Sequence, residues 1–412
     1  MSESTRGGNN TPRGALSGCS VLDFSRVIAG PYACQILGDF GAEVIKIEQT
    51  GEGDYARHYP FGRIGAAADG DSAYWVAVNR NKRSITVDFT RPEGQDIVRQ
   101  LAAQSDVLVE NYKVGTLARH GLDYASLSRV NPRLIYCSVT GYGQEGPYAK
   151  RPGLDPIFQA QSGFVQLNGE DGMPPTGHMY QVIDYVTGYN TAIAVLAALR
   201  ERDQFSGQGQ YIDMALLDCS LAFTATCGQE YLVTGRQPAR LAPGGRGTGG
   251  SGVYACRDGS IHVVIYQDHH FGRFCAVAGR PDLPRDPRFS TRDSRAANGT
   301  ILIGLVTDLI APWKARDLSD ALAAVDVPAG VVNDFNGAFN DPQSRHRAMT
   351  VAMNHPKDAG LNLIANPAKL SRTPPSYRRA PPLLGADTDD VLQELLGMDA
   401  DKVASLRKAG VI

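Results

Sequence analysis

Gly153-Leu154-Asp155-Pro156 places one carboxylate among turn residues, shortly after Gly141-Tyr142-Gly143-Gln144-Glu145-Gly146-Pro147. A carboxylate held in a turn can attack an activated acyl group, and it can equally cap a helix; an Asp before Pro is usually the latter. Asn79-Arg80-Asn81-Lys82-Arg83-Ser84 concentrates cations at the entry to a strand, where they would meet either solvent or an anion. Leu241–Gly252 is a glycine-dense loop without the G-x-x-x-x-G-K-[ST] pattern, so it reads as a surface loop or as a lid over a reactive intermediate. His178 and the pair His269-His270 lack H-x-x-x-H spacing. The seven cysteines form no C-x-x-C pair, so a metal site is not expected.

These residues need a scaffold, and the chain supplies alternating strands and helices. Ser20–Phe24 reads as a strand, Tyr32–Phe40 as a helix closed by Gly41, and Glu43–Glu48 as a second strand with alternating β-branched residues. The first βα turn, Val27-Ile28-Ala29-Gly30-Pro31, lacks G-x-G-x-x-G, which argues against a dinucleotide site. The alternation continues with strands at Ser84–Phe89, Asp106–Glu110 and Arg133–Val139, and with helices at 92–104, 115–120 and 188–202. This order predicts an α/β fold with a parallel sheet covered by helices.

After about residue 225 the pattern changes. Val253–Cys256 and Ser260–Tyr266 around Asp258-Gly259 predict a β-hairpin, followed by helices, a strand at Ala329–Val332 and a helix at Thr388–Leu396. The expected division is a flexible N-terminus at 1–17, a large domain from 18–224 and 326–412, and a small α+β domain at 225–325.

Hydrophobic content of 42% in 412 residues suffices for a large core. Forty-one basic and 43 acidic residues give a net charge of -2 without a long basic run, so no nucleic-acid partner is expected. The N-terminus has no apolar signal core, and the apolar stretch Ile193–Leu199 is too short for a bilayer. Unpatterned cysteines suit a reduced, cytoplasmic protein without a membrane partner.

From Gly18 onward the chain resembles the class III (CaiB/BaiF-type) CoA-transferases. The resemblance rests on ordered pieces: Val21-Leu22-Asp23-Phe24 with Ala29-Gly30-Pro31, Gly41 to Glu48, Gly53-Asp54 with Arg57, and Asn81-Lys82-Arg83-Ser84. It continues through Val109-Glu110-Asn111-Tyr112 with Gly115, Gly141 to Gln144, Gly153-Leu154-Asp155 with Gln159-Ala160, Asp184-Tyr185 with Gly188, Gly207 to Gln210, and Pro328-Ala329-Gly330.

The resemblance implies a Rossmann-like large domain built from both chain ends, a smaller α+β domain, and two chains interlocked as a homodimer. It implies Asp155 as nucleophile, with no permanently bound cofactor and a coenzyme A thioester as substrate. It further implies CoA contacts at Val27, Ile28, Ala29, Val87, Asn111, Tyr112 and Arg119, with Lys113 and Arg57 as further phosphate candidates. Gln49 and Thr90 stand where some members carry Arg and Lys. The acyl pocket is expected at Tyr59, Tyr74, Tyr142, His178, Tyr180 and the loop residues Gly244, Gly245 and Arg246. Such polar groups suit a second carboxylate, which points to succinyl-CoA with mesaconate, citramalate or itaconate as partner acid. The alternatives are an α-methylacyl-CoA racemase, disfavoured by Leu154 where racemases carry His, and a CoA-binding protein without turnover.

Overall fold

A computed structural model describes residues 14–65, 70–169, 173–240 and 249–412. Six strands form one fully parallel sheet: β1 (Ser20–Phe24), β2 (Glu43–Glu48), β3 (Lys82–Thr86), β4 (Val107–Glu110), β5 (Ile135–Thr140) and β6 (Tyr211–Ala215). Their order is β3-β2-β1-β4-β5-β6, which reverses direction between β1 and β4. In such sheets ligands bind outside the carboxyl ends of the strands, at that reversal.

The central strands are buried on both faces, as a parallel sheet under two helical layers requires. One face packs Leu22, Phe24, Ile45 and Ile85 against helix Pro92–Ala103 and the C-terminal helices Thr388–Leu396 and Ala400–Lys408. The other packs Val21, Val44, Val109 and Ile135 against helices Ala29–Asp39 and Val182–Glu201. The last two helices meet at Gly188, where an added Cβ would lie 2.9 Å from the Ala29 carbonyl oxygen and 3.0 Å from the Tyr32 ring. Only glycine allows that approach.

Two compact units emerge. One holds the described residues of 1–158, 179–223 and 345–412; the other holds those of 159–178 and 224–344. The second unit contains an antiparallel sheet of β7 (Gly252–Cys256), β8 (Gly259–Val263) and β9 (Ala329–Val331) around a core of Ile261, Phe271, Phe274, Leu302 and Leu322. In the first unit, β10 (Thr350–His355) and β11 (Asp358–Ile364) form a hairpin packed with Ile64 and Trp75.

Several elements differ from expectation. β3 starts two residues earlier than predicted, because the basic cluster is folded inward: Asn79, Arg80, Asn81 and Lys82 are all at most 4% exposed. Those four side chains are turned away from solvent. Arg80 instead grips Asp39 through two hydrogen bonds of 2.8 and 2.6 Å, and Asn81 donates to the same carboxylate at 2.8 Å. Residues 14–17 form a turn, tied by the Leu16 amide donating to Phe40. The helix expected at 188–202 begins at Val182, and with its π-helical extension to Ser206 it is long and apolar enough to cross a bilayer. Its Ile183, Thr187, Val195 and Leu199 are instead buried in the first unit.

Candidate active site

Two carboxyl groups meet at the start of helix Val182–Glu201. Asp155 opens the short helix Asp155–Gln161, and Asp184 lies in the first turn of the long one. The Asp155 Oδ2 accepts the backbone N–H groups of Ile183 at 2.6 Å and Asp184 at 3.0 Å. Gln181, the residue preceding that helix, provides no side-chain cap, so Asp155 serves as the cap from 28 residues upstream. Asp155 is 3% exposed, whereas Asp184 is only partly buried by its neighbours' surfaces.

The two carboxyls differ electrostatically as well. Burial, followed by the nearby charge of Asp155, pushes the Asp184 carboxyl up to about 7. A carboxylate of that basicity is half ionised near neutral pH and a stronger nucleophile than an ordinary one. Asp155 is instead anchored on the N–H groups at the start of a helix, which occupies one of its oxygens.

Aromatic rings surround the pair. Tyr59, Phe61 and Tyr74 stack mutually, with centroids 4.6 to 5.9 Å apart. Burial raises the Tyr74 phenol, and the charges of Asp184 and Asp155 raise it further; Tyr59 is raised by burial, with a contribution from Asp184. Tyr180 stacks on Tyr185 at 5.4 Å, and Tyr185 meets Tyr32 edge-on at 4.9 Å. The first unit therefore brings Tyr59 and Tyr74 within electrostatic reach of Asp184, and Tyr180 joins them only through Tyr185. Tyr142 packs on Phe158, one turn after Asp155, at 5.1 Å. His178 lies in the second unit, where Gln159 clamps its backbone with two 3.0 Å hydrogen bonds. Gly244, Gly245 and Arg246 lie outside the described residues.

At the carboxyl ends of β1 to β4 a cavity of about 310 Å³ is lined by Arg26, Val87, Phe89, Tyr112, Gln49 and Thr90, among others. Tyr112 forms a trio with Phe24 and Phe89, and Arg26 covers its ring at 4.4 Å. Asn111 fixes Arg26 by accepting its N–H at 2.8 Å and donating to its carbonyl at 2.7 Å. Ile28 and Ala29 are buried at the start of helix Ala29–Asp39. Lys113 and Arg119 are exposed, the former on a second cavity of about 380 Å³ beside the buried carboxyl of Glu110.

Arg57 is turned into the protein. Its guanidinium donates to both oxygens of Glu48 at 2.8 and 2.7 Å, to Asp71 at 3.0 Å and to the Pro382 carbonyl, and it lies 3.7 Å over Trp75.

The chain matches CoA-transferase family III over residues 16–388. It belongs to that family. It is 39% identical to the succinate–glutarate CoA-transferase of Agrobacterium fabrum, over 92% of this chain and 95% of that protein. It is 32% identical to the human succinyl-CoA:glutarate CoA-transferase, over 96% of this chain and 90% of that protein. Among solved structures, a CaiB/BaiF family protein from Brucella suis superposes with a TM-score of 0.86 at 36% identity, covering 93% of this chain and all of the other. The family III transferase is thus an enzyme that moves CoA, with acyl-CoA thioesters and free carboxylates as its substrates.

Sequence reasoning quoted Asp184-Tyr185 as part of the resemblance but gave the pair no role. The available signal was an acidic residue in the first turn of an apolar helix, the position where anions gather. Asp54 is likewise quoted without a role and Arg26 is not singled out, although both line the strand-end cavity.

Proposed function

We propose that this transferase exchanges CoA between small dicarboxylic acids through covalent intermediates on Asp184, with Asp155 holding Asp184 in place. The observation that carries the reading is the asymmetry of the pair: one carboxylate is committed to backbone N–H groups, while its neighbour is raised by burial and its charge reaches the phenols of Tyr59 and Tyr74. This moves the covalent role from Asp155, the expected nucleophile, to the second carboxyl.

In the first step an Asp184 oxygen attacks the thioester carbon, the C–S bond breaks, and thiolate leaves with the electron pair. The product is a mixed anhydride. The thiolate then attacks the aspartyl carbonyl, and the donor acid leaves as its carboxylate. An aspartyl-CoA thioester remains. The acceptor carboxylate attacks that thioester and displaces the thiolate, which recaptures the acceptor acyl group and returns the aspartate. Thioester energy is conserved throughout, so the cycle needs no external energy source. Water must stay out, and the stacked Tyr59, Phe61 and Tyr74 supply an apolar wall with polar tips.

Dicarboxylate substrates are supported by the named relatives and by the several tyrosine hydroxyls near the pair. Succinyl-CoA with glutarate or a C4–C5 acid such as mesaconate, citramalate or itaconate fits both. CoA is assigned to the strand-end cavity, with Val27, Ile28, Ala29, Val87, Asn111 and Tyr112 around it and Lys113 or Arg119 toward its phosphates. A homodimer is supported by exposed apolar side chains at Ile193, Leu232 and Val233. A cytoplasmic location is supported by seven unpaired cysteines.

The reading is tested by a panel of acids assayed with succinyl-CoA, comparing the native enzyme with Asp184→Asn. Transfer to dicarboxylates by the native enzyme alone supports it. Reaction confined to branched monocarboxylic acyl-CoAs overturns the substrate class, and undiminished transfer by Asp184→Asn overturns the nucleophile.

A further inference from the structure

Val27 has φ of 70°, in the left-handed region. A β-branched residue is a genuine outlier there, and such strain persists only when the surroundings over-determine it. Here they do. The Val27 N–H is donated to both oxygens of Asp54, at 3.2 and 3.1 Å. Arg26 is held at its N–H and its carbonyl by Asn111. The Ser25 N–H is donated to Asp23 at 3.1 Å, and its carbonyl accepts the Lys46 ammonium. Side chains thus grip three consecutive backbone residues, those at Ser25 and Val27 from the buried interior and Asn111 from a half-buried position.

The grips are linked by charge. Lys46 lies 3.3 Å from Asp54 and 3.8 Å from Asp23, with all three side chains fully buried. Asp23 also receives Lys82 at 2.7 Å, again fully buried. Asp54 accepts from the Ala56 N–H as the cap of the turn Tyr55–His58 and donates its own backbone N–H to Glu48 at 3.0 Å. Placing four charges inside the protein is a poor way to gain stability compared with apolar packing. It is a good way to fix geometry. What the network fixes is the turn at the carboxyl end of β1, beside the sheet's reversal and on the wall of the strand-end cavity.

We infer that Asp54, with Lys46 as its buried counter-ion, is a positioning residue that locks Val27 in its left-handed conformation and so pre-shapes the turn for the CoA moiety. Asp54 acts through Val27. The inference rests on the assignment of CoA to this cavity, but not on which carboxylate is the nucleophile.

The prediction is a coupling. Without Asp54, Val27 relaxes to an ordinary backbone conformation and the turn loses its shape. Glycine at position 27 adopts the same φ without strain, so it should need Asp54 much less. Affinity for free CoA, which undergoes no chemistry, is measured by calorimetry for the full chain, Val27→Gly, Asp54→Ala and the double variant. Asp54→Ala should weaken CoA about tenfold, the scale of relieving one strained residue. Adding Val27→Gly to it should recover affinity to within about threefold of Val27→Gly alone. Should Asp54→Ala not fold, Asp54→Asn takes its place in both arms. Independent, multiplying losses in the double variant would overturn the inference, as would unchanged CoA affinity in Asp54→Ala. Failure of the covalent mechanism would appear in turnover and leave this coupling intact.

Discussion

The buried carboxylates of β1 and β2 and the carboxyl pair at the long helix stand in opposite electrostatic situations. Asp23 and Glu48 face Lys46, Lys82 and Arg57 within the core, and those cations hold both acids below the usual carboxylate range despite burial. Asp184 is shifted only by burial and by another acid, and its carboxyl rises. Compensated charge fixes position; uncompensated charge stores reactivity. On the proposed reading, the first shapes a binding turn and the second prepares a nucleophile.

The contrast breaks most sharply at Asp184. Asp184→Ala should lower kcat by about a thousandfold or more while leaving the melting temperature near that of the native protein. A structural carboxylate would show the reverse, and steady-state rates with a thermal melt distinguish the two. On the compensated side, Arg80→Met strands the Asp39 carboxylate, which also receives Asn81 and Asn366. It should cost about 3 kcal/mol of stability in urea unfolding, with folded protein still able to turn over.

Asp155→Asn should sharpen the comparison more gently. Its amide keeps an oxygen for the helix N–H groups but removes the charge that, after burial, raises Asp184. Turnover should fall about ten- to a hundredfold. The pH at which activity rises should move below its native position near 7, because a lower Asp184 value leaves the anion populated in more acidic solution. A pH–rate profile reads both effects, and an unmoved inflection would assign Asp155 a purely structural role.

Glu110 gives the smallest effect. It is 5% exposed, and burial pushes it up to about 7 against the opposing hydrogen bonds from Ser138 and Tyr112. An acid raised on folding favours the folded state below its unfolded value, and that contribution is lost as pH rises through the folded value. Glu110→Gln should therefore gain stability relative to the native protein between pH 5 and pH 8. Paired thermal melts at those two values check it.

The sequence was most legible where local pattern and tertiary burial agree. β1 and β2 fall where their apolar, β-branched residues place them, and helix Thr388–Leu396 does too. β3 was misplaced because Asn79 to Lys82 look solvated in sequence, and only the fold reveals Asp23 and Asp39 waiting for them. β6, with Asp213 in its centre, and the polar hairpin β10–β11 carry weak strand signals that sheet pairing overrides. The site was legible as a stretch of chain and not as a constellation. Asp155 stands out among glycines and a proline, whereas Asp184 gains its character from burial and from a carboxylate folded back across 29 residues. Separation of that kind leaves no periodic trace.

The central claim is that Asp184 carries the acyl group and the CoA during turnover. It is tested by loading the enzyme with succinyl-CoA, quenching during turnover, and mapping the adduct by peptide mass spectrometry with and without hydroxylamine. The account predicts a CoA thioester or hydroxamate on the peptide bearing Asp184, and none in Asp184→Asn. A hydroxylamine-sensitive adduct on Asp155 instead, or turnover without any aspartyl adduct, would contradict it.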